Sequence, residues 1–144
     1  MDFEQEFAIQ LSRVSRQWRK QLDQRLKHMD LTQARWVVLL QLSQSGPLSQ
    51  RELADKIGVE GPTLVRILDS LQRAGLIDRR ECGEDRRVKH VHLDEAAGPV
   101  LKEITKIATE LRRELLAGVP PEQLRAAARV LQIIGDRLEA SASE

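Results

Sequence analysis

Along residues 4–28 the large apolar side chains fall at steps of three and four, Phe7, Leu11, Val14, Trp18, Leu22 and Leu26. That spacing draws one stripe along a single helix. A second, shorter helix is expected from Thr32, a suitable N-cap, to about Gln44, with Trp36, Val37, Leu39 and Leu40 as its apolar positions. Gly46-Pro47 stops it. Ser49-Gln50-Arg51-Glu52 has the spacing of a capping box and opens a third helix. Gly58 ends that helix because it can take the left-handed conformation. Gly61-Pro62 opens a fourth helix, whose expected apolar face is Leu64, Val65, Leu68 and Leu71, and Gly75 closes it.

The period then changes. Residues 76–82 and 88–93 are short, with the apolar content and alternation of strands, around a Gly83-Glu84-Asp85-Arg86 turn. From about Glu95 a helical stripe resumes at Leu101, Ile104, Ala108, Leu111 and Leu115, with Pro99 near its start. Pro120-Pro121 breaks the chain and begins a last helix bearing Leu124, Ala128, Leu131, Ile134 and Leu138. The predicted order is four helices, a two-stranded hairpin and two more helices: mainly α with a small β-wing. The first helix and the last two are long and strongly striped, and they flank a middle that can bury its own core. Residues 1–30 and 95–144 therefore read as a helical dimerisation region around a functional unit at 31–94. A monomeric six-helix bundle is the alternative and ranks lower.

Composition narrows the picture. The 144 residues are 41% hydrophobic and 31% charged, the balance of a globular chain, but only 3% aromatic. The core must be aliphatic, and base-stacking platforms for single-stranded nucleic acid are disfavoured. One cysteine, Cys82, excludes an internal disulfide and fits a reducing cytoplasm. No apolar run reaches the ~18 residues of a membrane span, and the acidic start (Asp2, Glu4, Glu6) lacks the basic residues of a signal peptide. Net charge is +1, from 23 Lys+Arg against 22 Asp+Glu. A nucleic-acid role must therefore show in local placement.

That placement is found in the middle. Two short helices joined by a tight turn at Gly58, with small Ala54 where they approach and Leu53, Ile57, Val59, Leu64 and Ile67 filling the apolar slots, describe a helix-turn-helix. A purely structural helical hairpin would give much of the same pattern. The hairpin that follows favours a winged helix, whose second helix enters the major groove while the ribbon tip reaches the minor groove. At the tip, Asp85-Arg86-Arg87 offers one guanidinium to a narrow, electronegative groove and another to the adjacent carboxylate. A solvated, charge-rich turn is the bland reading. Residues 49–93 carry nine Lys+Arg against eight Asp+Glu, so binding must rest on shape and specific contacts more than on bulk charge.

The stretches Val59-Glu60-Gly61-Pro62-Thr63-Leu64-Val65-Arg66-Ile67-Leu68-Asp69, Gly75-Leu76-Ile77-Asp78-Arg79, Asp85-Arg86-Arg87-Val88-Lys89 and Val91-His92-Leu93 resemble the MarR family of bacterial transcriptional regulators. Arg13-Val14-Ser15-Arg16-Gln17-Trp18-Arg19 and Leu31-Thr32-Gln33-Ala34-Arg35-Trp36 are similar to its SlyA subgroup. Asp94 stands where that pattern usually has Thr, and Gly61 where a side-chain-bearing residue is usual; the second departure bears on base preference. The resemblance implies a cytoplasmic homodimeric winged-helix repressor or derepressor on a pseudo-palindromic operator. It assigns Pro62, Thr63 and Arg66 to the recognition helix, Arg86 to the minor groove, and Asp85 with Arg87 to shaping the wing. Arg66 suits a bidentate contact to guanine, Thr63 a base edge or phosphate, and Pro62 a thymine methyl. Ser49, Gln50 and Arg51 at a helix start, and Arg79, Arg80 and Lys89 along the ribbon, are candidate backbone contacts. Arg73 is another, level with a plain solvated role.

Several residues invite over-reading. Cys82 lies near arginines that would lower a thiol pKa, but no second cysteine exists to resolve a sulfenic acid, so an ordinary strand residue is favoured. His90, His92 and Cys82 make a poor zinc site with no evident fourth ligand, and no metal or other cofactor is assigned. Arg13, Arg16, Trp18 and Arg19, with Trp36, are candidate linings of a cleft for a small aromatic anion, such as the resembled family admits; core packing and a solvated face are the competing readings. No Gly-rich phosphate loop, paired buried carboxylates or nucleophile triad marks an enzyme. An architectural or counter-silencing DNA binder without an effector is the alternative function.

Overall fold

The computed structural model describes residues 1–82 and 85–142, and the side chains of all of these except Cys82, Asp85, Arg86 and Arg87. The elements in order are α1 (Phe3–Arg25), a single 3-10 turn (Lys27–Met29), α2 (Gln33–Ser45), β1 (Leu48–Ser49), α3 (Gln50–Ile57), α4 (Gly61–Arg73), β2 (Ile77–Cys82), β3 (Asp85–Leu93), α5 (Ala97–Leu116) and α6 (Pro121–Ala142). The chain divides into two compact units, Met1–Glu110 and Leu111–Glu144.

Local chemistry explains most boundaries. Asp2 caps α1 by accepting from the Gln5 N–H at 2.8 Å. The capping box at α3 is complete: Glu52 N–H donates to the Ser49 hydroxyl, and Ser49 N–H to the Glu52 carboxylate, both at 3.1 Å. Gly58 ends α3 at φ 75 and Gly75 follows α4 at φ 77, left-handed conformations that a side chain would strain. Pro62 and Pro99 both sit in first turns, where the missing N–H has no helical partner to lose.

The sheet has three antiparallel strands in the order β1-β3-β2. Leu48 pairs with Val91, and Ile77 with Leu93. The two-residue β1 is absent from the sequence reading: it is too short to alternate and follows Gly46-Pro47 directly. β3 also begins at Asp85 rather than at 88. The core is aliphatic apart from Trp36. Leu26, Val38, Leu39, Leu42, Leu53, Leu64, Leu68, Leu71, Ile77 and Val91 are fully or nearly fully buried, with Ile104 on α5.

Several apolar faces differ from their expected composition. In α2 the buried positions are Trp36, Val38, Leu39 and Leu42, while Val37 and Leu40 are half-buried. The helix is apolar almost all round, so its sequence carries no phase. In α4, Val65 turns outward and the buried face is Leu64, Leu68 and Leu71. Of the α1 stripe only Leu22 and Leu26 are buried; Phe7 stays 44% exposed. Within the second unit, α6 has no buried residue, and Leu131 and Leu138 are 46% and 66% exposed.

The capping box carries a pH prediction. The Ser49 backbone N–H, then its hydroxyl, hold the Glu52 carboxyl below its ordinary 4.5. A carboxyl depressed by folding adds stability that is complete above the ordinary value and is lost as pH falls through the folded one. Denaturant titrations should therefore show wild type and Glu52→Gln separated by a constant amount above pH 4.5, with the gap closing below it. Ser49→Ala should cost about 1 kcal/mol at neutral pH.

Candidate nucleic-acid interface

The helix-turn-helix comprises α3, the Gly58 turn and α4. Ala54, nearly buried, lets the two helices cross closely, and the Gly58 and Val59 N–H groups both close on its carbonyl, at 2.9 and 3.1 Å. With Leu64, Leu68 and Leu71 buried, the opposite face of α4 presents Pro62, Val65, Arg66 and Arg73 to solvent, with Asp69 partly exposed. Thr63 is half-buried on the flank. Val65 is the residue the sequence misses. Its type suggests core, and only the rotation of α4 set by the leucines reveals that it stands beside Arg66.

The candidate phosphate contacts separate into free and engaged groups. Arg51 and Lys89 are exposed, and Gln50 is half-buried. Ser49 is turned onto Glu52 by both its N–H and its hydroxyl, and the Glu52 carboxylate already occupies the positive end of α3. Arg80 lies 3.2 Å from Asp78 and 3.9 Å from Asp94 while remaining 55% exposed, a pairing that leaves it available. Arg79 is different. Its Nη2 donates to Asp69 Oδ1 at 2.6 Å and its Nε to Gln72 Oε1 at 2.8 Å. The side chains of Asp85, Arg86 and Arg87 lie outside the described residues, as does that of Cys82.

The β-register bears on the metal question. Cys82 is opposite Asp85, whereas His90 is opposite Arg80 on one side and Ser49 on the other. Among the described residues, no group of three or more His, Cys, Asp or Glu is placed to hold a metal ion.

The candidate ligand residues are dispersed. Arg13 is exposed and hydrogen-bonded along α1 to Gln10 and Gln17, and Arg16 is exposed near it. Trp18 is half-buried. Trp36 is 3% exposed, with its indole N–H donated to Asp23 at 3.2 Å, and so ties α2 to α1. A cleft of about 390 Å³ does exist near these residues. It is lined by Arg19, Thr32, Gln33, Ala34, Val37, Ile57, Val59 and Ile67, and so brings Arg19 to the underside of the α3–α4 turn. Of the sequence candidates, only Arg19 lines it.

The sequence model of the MarR family matches residues 31–89, which hold the helix-turn-helix and most of the hairpin. The chain is similar to the transcriptional regulator PA3341, at 43% identity over 93% of this chain and 98% of that one, with a TM-score of 0.86. It is also similar to a MarR family transcriptional regulator from Silicibacter pomeroyi, at 28% identity over 89% and 84% of the two chains and a TM-score of 0.81. AbsC, a MarR family transcriptional regulator from Streptomyces coelicolor, shares the fold at 23% identity over 97% of each chain, with a TM-score of 0.83. These relatives are transcriptional regulators, not enzymes. Among the described residues, no helix is long and apolar enough to cross a membrane.

Asp23→Ala should strand the Trp36 indole N–H in the interior and cost about 1–3 kcal/mol in urea denaturation.

Proposed function

The chain belongs to the MarR family of transcriptional regulators, and on that premise we propose that it is a SlyA-like homodimer binding a pseudo-palindromic DNA operator. The observation that carries this reading is the outward stripe of α4: an arginine, two apolar edges and a second arginine on a helix whose other face is locked into the core. Arg66 forks onto guanine O6 and N7, while Pro62 and Val65 supply apolar edges for thymine methyl groups. Thr63, Gln50, Arg51, Arg73, Arg80 and Lys89 fix the register on phosphates. Arg86 enters the minor groove beyond the wing, held in place by the Asp85–Arg87 pair.

Residues 31–94 serve as the DNA-binding part, and residues 1–30 with 95–144 as the dimerisation part. Long helices with Phe7, Leu11 and Val14 or Leu131, Ile133 and Leu138 exposed in the single chain are what a second copy would cover. Two recognition helices then lie about one DNA turn, ~34 Å, apart. The cleft lined by Arg19 suits a small aromatic carboxylate: a guanidinium for the anion and Val37, Ile57 and Ile67 for the ring. Filling it presses on the α3–α4 turn and releases DNA.

Binding-site selection from random duplex tests the reading. Wild type should select an inverted repeat. Arg66→Ala should lose about 1–3 kcal/mol and its preference at one base position per half-site; an unchanged base preference would contradict the assignment. Arg86→Ala should weaken binding most on A·T-rich flanks. In an anisotropy titration, benzoate-class acids should lower the affinity of wild type and leave Arg19→Ala unaffected. If wild-type affinity does not change, the architectural reading without an effector takes its place.

A further inference from the structure

We infer that Arg79 is a positioning residue that locks the root of the hairpin to the recognition helix and so sets where the wing meets DNA; this rests on the DNA reading above. Arg79 is the third residue of β2, and its side chain is 20% exposed. It reaches two acceptors on α4 that are three residues apart, Asp69 at 2.6 Å and Gln72 at 2.8 Å. Two bonds from one planar guanidinium fix both the distance and the rotation between strand and helix, whereas a single point charge would fix only distance.

The location gives this link its leverage. α4 and β2 are separated by Ala74, Gly75 and Leu76, with Gly75 at φ 77. On the inner side the junction is held by Leu71 and Ile77, both essentially buried, and by the Leu76 N–H bond to the Leu71 carbonyl at 3.0 Å. Arg79 holds the outer side. β2 runs three residues past it to Cys82, about 10 Å at ~3.3 Å per residue, so a root tilt of about 10° moves that end by about 2 Å. A shift of that size takes a side chain beyond the tip out of hydrogen-bonding range of a groove. The same contact neutralises Asp69, whose carboxylate stands on the DNA-facing side of α4 at 45% exposure and would otherwise repel phosphate.

A direct phosphate contact by Arg79 is the competing role, and substitution separates the two. Duplex selection and salt-dependent anisotropy are run on wild type, Arg79→Ala, Arg79→Lys, Asp69→Asn and the charge-exchanged Asp69→Arg/Arg79→Asp pair. As a clamp, Arg79→Ala and Asp69→Asn both lose flanking A·T preference by about tenfold, the size of one good base-region contact, and both keep the central half-site bases read by α4. Arg79→Lys is intermediate, and the exchanged pair regains most of the flank preference. As a phosphate contact, Arg79→Ala weakens all sequences alike and lowers the salt slope by about one, while Asp69→Asn frees the arginine and tightens binding. That pattern, or flank preference unchanged in Asp69→Asn, overturns the clamp. Asp69→Asn decides the matter if Arg79→Ala fails to melt cooperatively. A wild type that selects no duplex defeats the DNA reading and this inference with it; a selective wild type with unaltered variants defeats only the clamp.

Discussion

The rotation of α4 about its own axis governs everything the molecule offers to a partner. Leu64, Leu68 and Leu71 are 1%, 0% and 0% exposed, and burying each contributes about 1.5–3 kcal/mol. Turning the helix by one residue would uncover much of that, a loss comparable with the whole stability of a small domain. The core therefore dictates that Pro62, Val65 and Arg66 point outward together. A reading surface is a consequence of packing on the other side, and Ala54 contributes by letting α3 approach closely enough to complete that packing.

Near-neutral charge has a structural counterpart. Two of the arginines beside the helix-turn-helix are already matched within the chain: Arg79 by Asp69, and Arg80 in part by Asp78 and Asp94. The acidic residues thus organise the arginines rather than simply cancelling them. A half-buried fork such as that of Arg79 holds geometry, whereas an exposed pair such as Arg80–Asp78 holds little and can exchange partners with an incoming phosphate. A surface built this way favours correct shape over bulk attraction to any polyanion.

Expectations and structure agree most closely where the chemistry is local. The Ser49–Glu52 box, the left-handed Gly58 and Gly75, and the helix starts at Pro62 and Pro121 depend on residues within four positions of each other, so their spacing in the chain already specifies the bonds they make. Pro62, Thr63 and Arg66 came from the family resemblance rather than from spacing, and the structure places Pro62 and Arg66 on the exposed face of α4 and Thr63 half-buried on its flank. The candidate ligand lining was not legible in the sequence. Arg13, Arg16, Trp18 and Trp36 share a plausible chemistry, but Trp36 is fastened to Asp23 thirteen positions away, and the cleft takes its walls from α1, α2, α3 and α4.

The amino-acid order alone settled the helices, the Ser49–Glu52 capping box, the hairpin and the winged architecture, because periodicity and capping are properties of neighbours along the chain. Folding in three dimensions settled what neighbours cannot encode. It added a two-residue strand, chose which side of an all-apolar α2 faces inward, turned Val65 to water, and joined Arg79 to a helix seven and ten residues back. Each of these depends on a partner brought close only by the packing of other elements, and no local pattern specifies such a meeting.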